Sequence, residues 1–348
     1  MQNRYFYSFT TTFLLLLFFS LSAPHPSQTK PLPPLRKNRD YILTTATTGG
    51  TYYPVGIALA TLTKVKLEPK YKISLSAISS AGSGENLKLL RENEAQFAIL
   101  QGLYGAWAWN GSGELQLIGP QKHLRSITML WQNVEHFAIQ SDLVRTGTAA
   151  DLKMLKGKRF SIGRKNSGTE GSGRHILRSL GFQPDRDFVL VNIGYGESAE
   201  SLQNGTIEGM NIPAGLPVGA ITRAFAALGK DITILDFTAE QLRAINRGYN
   251  LWSPYTIPAN TYPGQDYEIH TISQPNFLAV RADVDDDAVY RIVKIIYENL
   301  KFLSNIHPAT MDMDIRKAVK GLPFPLHPGA ARFYREQGIT LPDRLITK

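Results

Sequence analysis

Residues 44–56 read TTATTGGTYYPVG, and their reading decides the fold. The apolar run Tyr41-Ile42-Leu43 enters the stretch as a strand. Two glycines, a threonine, two tyrosines and a proline follow it. Helical spacing starts at Val55 and continues through Leu59, Leu62 and Leu67. The order is strand, Gly-rich turn, helix N-terminus, which is the repeating unit of α/β layers. The first N–H groups of a helix lack partners inside it, and the helix dipole adds partial positive charge there. A small anion or carboxylate fits such a spot. An ordinary tight turn has the same composition, so a single copy leaves both readings open.

The pattern recurs along the chain. Ile73 to Ile78 alternates as a strand and runs into Ser79-Ser80-Ala81-Gly82-Ser83-Gly84, with helical spacing at Leu87 and Leu90. Phe97-Ala98-Ile99-Leu100 is a short strand ending at Gln101, and Ile127 to Leu130 is another. Arg159 to Gly163 leads through Arg164-Lys165-Asn166 to Ser167-Gly168-Thr169-Glu170. The S-x-x-E spacing there marks a helix start, and Gly181 marks its end. Phe188–Ile193, Thr206–Asn211 and Ile232–Leu235 are further strands. This alternation implies mostly parallel sheets covered by helices. His136 to Asp142 and Asn276 to Asp283 are alike, each a short apolar strand ending in an acidic residue. They read as crossovers between two domains, one over 40–140 plus 278–348 and one over 141–277. Three turns, at 47–51, 79–84 and 166–169, would then face each other across a cleft, the usual ligand position of open α/β sheets.

Composition sets the surroundings. The chain has 348 residues, 43% of them hydrophobic and 19% charged, enough for about two domains. Phe13 to Phe19 is FLLLLFF, followed by Ser20-Leu21-Ser22-Ala23. Residues 1–22 read as a secretory signal peptide, with an uncleaved anchor as the alternative. Residues 23–39 are Pro-rich and basic and read as a flexible leader. The expected location is periplasmic or otherwise extracytoplasmic. There are no cysteines, so the expected domains stand without disulfides. The net charge of +9 is spread along the chain rather than gathered in a stripe. Nucleic acid is therefore not the expected partner, and an anionic ligand or anionic membrane surface is.

Catalytic patterns are weak. The seven histidines form no H-x-H or H-x-x-x-H pair. No metal site and no cofactor are expected. G-x-S-x-G, the P-loop and G-x-G-x-x-G are absent from the sequence. His136 reads as packing or hinge rather than as a base. Trp107 and Trp109 read either as a packed cluster or as a cleft wall.

Several segments together carry a family resemblance. TTGGTYYPVG at 47–56, SAGSGENLKLL at 80–90, FAILQG at 97–102, FSIG at 160–163, NSGTE at 166–170 and LPFPLHPGAARFYREQGI at 322–339 resemble the TAXI family. These are the extracytoplasmic solute receptors of TRAP transporters. The resemblance implies a two-domain type II periplasmic-binding-protein fold with two crossover strands, which closes on its ligand like a hinged clamp. It implies no catalysis, delivery to TRAP membrane permease subunits, and small carboxylated ligands such as organic acids, oxoacids or glutamate. The contacts carried over are Thr48, Gly49, Gly50, Thr51 and Tyr52, then Ser80, Ala81, Gly82, Ser83 and Gln101. In the second domain they are Ser167, Gly168, Thr169, Pro213 and Ala214. Arg164-Lys165-Asn166 depart from the small or apolar residues usual in the family. They either face solvent or add positive charge to the cleft. Two other uses of the scaffold remain open, a sensory protein reporting to a membrane sensor kinase and an exported hydrolase.

Overall fold

The computed structural model describes residues 38–346. The signal-peptide segment and most of the Pro-rich leader fall outside the described residues. The leader expectation runs one residue too far, because Arg39 already pairs with Ile73 in a sheet.

Two sheets organise the chain. The first holds β1 (Arg39–Thr44), β2 (Ile73–Ile78), β3 (Phe97–Gln101), β4 (Leu124–Val134), β10 (Ser253–Ile257) and β11 (Ile269–Arg281). Its order is β10-β11-β3-β1-β2, with β4 on the other side of β11. β1 runs parallel to β2 and β3, as strand–helix–strand connections require. β11 is antiparallel to β3, β4 and β10. The second sheet has the order β7-β6-β8-β5-β9, from β5 (Phe137–Gln140), β6 (Arg159–Ser161), β7 (Val189–Val191), β8 (Gly209–Asn211) and β9 (Ile232–Ile234). β6 is parallel to both neighbours, and β5 is antiparallel to both of its own.

Burial explains why these runs pair. Every residue of β3 is buried, so FAILQ needs no alternation. The helix Asp286–Glu298 buries Ala288, Val289, Ile292, Val293, Ile295 and Ile296 at helical spacing. Asp285 caps it, accepting the Ala288 N–H at 2.8 Å. Among the described residues no helix is long and apolar enough to cross a membrane.

The chain leaves the first sheet at Glu135-His136, between β4 and β5. It returns between Ile234 and Ser253, not at 276–283 as the matching sequence stretches suggest. Asn276 and its neighbours lie inside β11 and stay in the first sheet. Three segments consequently sit in the other sheet from the one the expected boundaries imply. Phe137–Gln140 belongs to the second sheet, and Ser253–Ile257 and the 269–277 part of β11 belong to the first. The β10 strand has no clear pattern of its own, since it contains Pro254 and survives only at a sheet edge.

Candidate ligand site between the two sheets

Four helices point their N-termini into one cavity. They are Tyr52–Lys66, Ser83–Arg91, Gly168–Ser179 and Tyr195–Gln203. Their cap residues Thr51, Gly82, Ser167 and Gly194 all line it, and so do their first residues Tyr52, Ser83, Gly168 and Tyr195. The first two helices follow the first sheet, and the last two follow the second.

Capping chemistry keeps this corner rich in donors. Thr51 does not cap its own helix; its hydroxyl donates to Gly215 O across the cleft at 2.9 Å. Gly82 and Gly194 have no side chain to cap with. Ser167 does cap, accepting the Glu170 N–H at 3.0 Å. Unclaimed N–H groups at helix starts, with the dipoles behind them, favour an anion. Among the described residues lining the cavity none is acidic, and Arg164 is the one that carries a formal charge. Its side chain is half exposed and stands 3.8 Å from Glu197. Arg164 is thus at the mouth of the cleft, whereas Lys165 and Asn166 line a separate surface groove.

The walls are held by polar side chains. Gln101 Nε2–H donates to Gly168 O at 2.6 Å, and its Oε1 accepts from Asn133 Nδ2–H at 3.1 Å. Tyr104 O–H donates to Ser167 O at 3.1 Å, and Glu85 N–H donates to Asn166 O at 2.9 Å. Each joins a first-sheet element to the turn at 164–169, so the structure is a closed one. Tyr52 O–H donates to Asn276 Oδ1. Tyr195 O–H donates to Pro213 O at 2.8 Å and lies 2.7 Å from Thr169 Oγ1. Burial raises the pKa of both tyrosines far above the usual phenol value, so each keeps its proton. The cavity is narrow and opens to solvent beside Arg164.

Most of the expected contacts meet here. Gly50, Thr51, Tyr52, Ala81, Gly82, Ser83, Gln101, Ser167, Gly168, Thr169, Pro213 and Ala214 all line the cavity. Thr48, Gly49 and Ser80 do not. Thr48 is exposed and, with Ser80, borders a neighbouring surface pocket. Gly49 lies against the start of the helix Tyr195–Gln203, where a Cβ would come within 3.0 Å of Gly196 N. Ser80 is buried under its turn; its hydroxyl accepts the Gly82 N–H and lies 2.6 Å from Asn86 Oδ1. It braces the backbone rather than facing the cavity.

Ala46, Thr47, Asn133, Gly194 and Tyr195 also line the cavity and are absent from the expected contacts. Gly194 ahead of Tyr195-Gly196-Glu197 was legible as a fourth Gly-containing helix start. Asn133, inside a strand, carries no such signal. Trp107 and Trp109 form a packed cluster, not a cleft wall. Trp107 Nε1–H donates to Tyr249 O–H at 2.9 Å, and Trp109 stacks on Phe324. His136 is buried at the crossover, with Nε2 2.8 Å from Tyr262 Oη.

Comparison with solved structures gives the fold. The chain is similar to a periplasmic transporter protein at a TM-score of 0.51 and 13% identity, over 86% of this chain and 92% of that one. It is similar to the periplasmic binding protein BugD at 0.50 and 10%, over 87% and 95%. MatC from Rhodopseudomonas palustris, solved with malate, matches at 0.49 and 13%, over 78% and 88%. The fold is that of the periplasmic solute-binding proteins. The chain belongs to the NMT1-like family, whose model matches residues 43–338.

Proposed function

We propose that this protein is the extracytoplasmic solute receptor of a TRAP-type transporter, of the TAXI kind. It binds one small carboxylated solute in the cleft and hands it to membrane permease subunits. The observation that carries the reading is the convergence of four helix N-termini on a cavity with no acidic lining residue. Three of these turns belong to the segments that resemble the TAXI family. In this reading the lobes follow the two sheets, and the ligand's carboxylate takes the N–H groups near Thr51, Ser83 and Gly168. Arg164 adds a cation at the mouth.

The reading is of a binding protein without catalysis. No His, Asp, Glu or Lys lines the cavity among the described residues, which leaves no ordinary general base beside a bound ligand. Thermal-shift and calorimetric screening of acetate, pyruvate, malate and L-glutamate against neutral sugars tests it. One or more acids should raise the melting temperature. Binding of sugars alone would overturn the proposal.

A further inference from the structure

Glu135 lies on the crossover between β4 and β5, where the chain passes from one sheet to the other. Its backbone is fixed, with the N–H donating to Ile272 O at 3.0 Å and the C=O accepting from Thr271 Oγ1–H at 2.8 Å. Its side chain is fully buried. One carboxyl oxygen, Oε2, accepts from Asn211 Nδ2–H at 3.1 Å. The other, Oε1, has no partner, and neither has Asn211 Oδ1. Two buried acceptors are thus left over on the same carboxyl–amide pair, beside one unpartnered buried donor, Trp252 Nε1–H. Neither a carboxylate nor an amide oxygen carries a hydrogen to offer. One proton on Oε1 supplies the donor that Oδ1 lacks, which neither the ionised carboxylate nor the Trp252 N–H beside the carboxyl gives it.

We propose that Glu135 is a proton site: in the closed cleft it is a carboxylic acid paired with Asn211, so capture of an anionic ligand takes up a proton. The coupling rests on the reading of the cleft as a closing anion receptor.

Burial favours the neutral acid and outweighs its polar neighbours. Asn211 from β8, Trp252 from the segment before β10 and Gln274 from β11 face the carboxyl as donors and favour the ionised form. Tyr195, from the helix that lines the cleft, is the nearby titratable group, and it keeps its proton. His136, next along the chain, turns its ring to Val134 O, Ile212 O and Tyr262 Oη, and burial pulls it down to about 4. No Lys, Arg or charged His acts on Glu135 among the described residues. Burial pushes the carboxyl up from 4.5 to about 7.

Position supplies the link to ligand. Asn211 ends β8, two residues before Pro213 on the cavity wall. Gln274 Nε2–H points to Gln101 Oε1 at 3.4 Å, and Gln101 bonds across the cleft to Gly168. Glu135 is therefore one step behind the wall, at the place where the sheets meet. Opening the cleft there admits water and lets the carboxyl ionise in its ordinary range.

The sign follows from the two protonation states. The closed form holds the proton more tightly than the open one, so binding takes up a proton between about 4.5 and about 7. Affinity falls as pH rises through that window and levels off above it. Between about pH 5 and pH 8 the fall is on the order of fifty-fold.

The mature chain and L-glutamate as probe suffice for the test. Calorimetry near pH 6 in buffers of different ionisation heat should count about one proton taken up per probe bound. Glu135→Gln puts an amide opposite Asn211 and mimics the acid, so it should bind with near wild-type affinity, flat with pH and without proton uptake. Infrared titration of the glutamate-bound protein should show a carboxylic acid C=O band that persists towards pH 7, that is lost in the ordinary carboxylate range when ligand is absent, and that is missing from the variant. Binding without proton uptake in the wild type, or loss of binding in Glu135→Gln at every pH, would overturn the proton site while leaving the receptor reading intact. If glutamate does not bind, the same titration is run with the acid that the thermal-shift screen identifies: absence of the band in that complex overturns the proton site, and its presence there with loss on ligand removal supports it.

Discussion

A wedge placed away from the ligand should block binding by blocking closure. Gly84 lies in the helix Ser83–Arg91 and faces the turn at 164–167, outside the cavity lining. A Cβ built on it would stand 2.4 Å from Asn166 O and 3.0 Å from Asn166 C. Ordinary contact begins near 3.4 Å, so the walls must part by about 1 Å. The atoms in the way are backbone, and the Glu85 N–H bond to Asn166 O belongs to the same contact. Overpacking of this kind costs about 1–3 kcal/mol, here charged to the closed form alone. That corresponds to a loss of affinity of about 5- to 150-fold. The open form keeps only a milder 3.2 Å approach to the Tyr104 ring, and alanine in a helix is favoured over glycine by about 0.5–1 kcal/mol. Gly84→Ala should therefore keep or raise the ligand-free melting temperature while weakening binding of whichever acid the screen identifies. Calorimetry and a melting curve on the same sample measure both signs. Affinity within twofold of wild type would refute the argument, because the bound form could then not contain this contact.

Four other outcomes follow from the same geometry. Gly168→Val should weaken binding at least about tenfold with little loss of fold, since a Cβ there would lie 2.9 Å from Gln101 Cδ and Ser83 Oγ; unchanged affinity would remove this turn from the site. Arg164→Ala should cost only a few-fold in affinity, because the side chain is half exposed, and should flatten the salt dependence of binding; an unchanged salt profile would place the guanidinium in solvent. Tyr195→Phe removes the donor to Pro213 O and should lower stability by about 1 kcal/mol in urea titrations; a wild-type midpoint would argue against that bond. For Glu135, the raised folded-state pKa means its stabilising contribution is complete below 4.5 and lost as pH rises through about 7. The loss is about 3 kcal/mol. Urea midpoints of the wild type with saturating ligand, which holds the cleft closed, should fall across that window relative to Glu135→Gln, and parallel curves would count against a raised pKa in the closed form.

The turns at 47–51, 79–84 and 166–169 were legible because helix starts are local. A strand, a run of Gly, Ser and Thr, and helical spacing occupy neighbouring residues and need no distant partner. β2 was readable to its ends, since Ile73 to Ile78 alternates and the backbone pairs in register with β1. Thr48, Gly49 and Ser80 share those turns yet miss the cavity, because composition does not tell which way a turn residue points. Ser80 resembles a ligand contact in sequence and serves as a brace in the fold, tied to Asn86. The crossovers were half legible. His136 to Asp142 marks the first one closely, but the similar stretch at 276–283 is the end of a 13-residue strand within the first sheet. Similar local patterns can serve different topologies, since strand pairing depends on residues far away in the chain.

The sequence by itself determined that strands feed helix N-termini rich in small and hydroxyl residues, and hence that donors are available for an anion. Local backbone preference is enough for that. Only the tertiary structure decided which donors share one cavity, that Tyr195 and Asn133 join them, and that Arg164 stands at the mouth while Lys165 does not. The same holds for the pairing of Glu135 with Asn211, 76 residues apart. Those facts depend on how two sheets face each other, and that arrangement is fixed by burial of both cores rather than by any short run of residues.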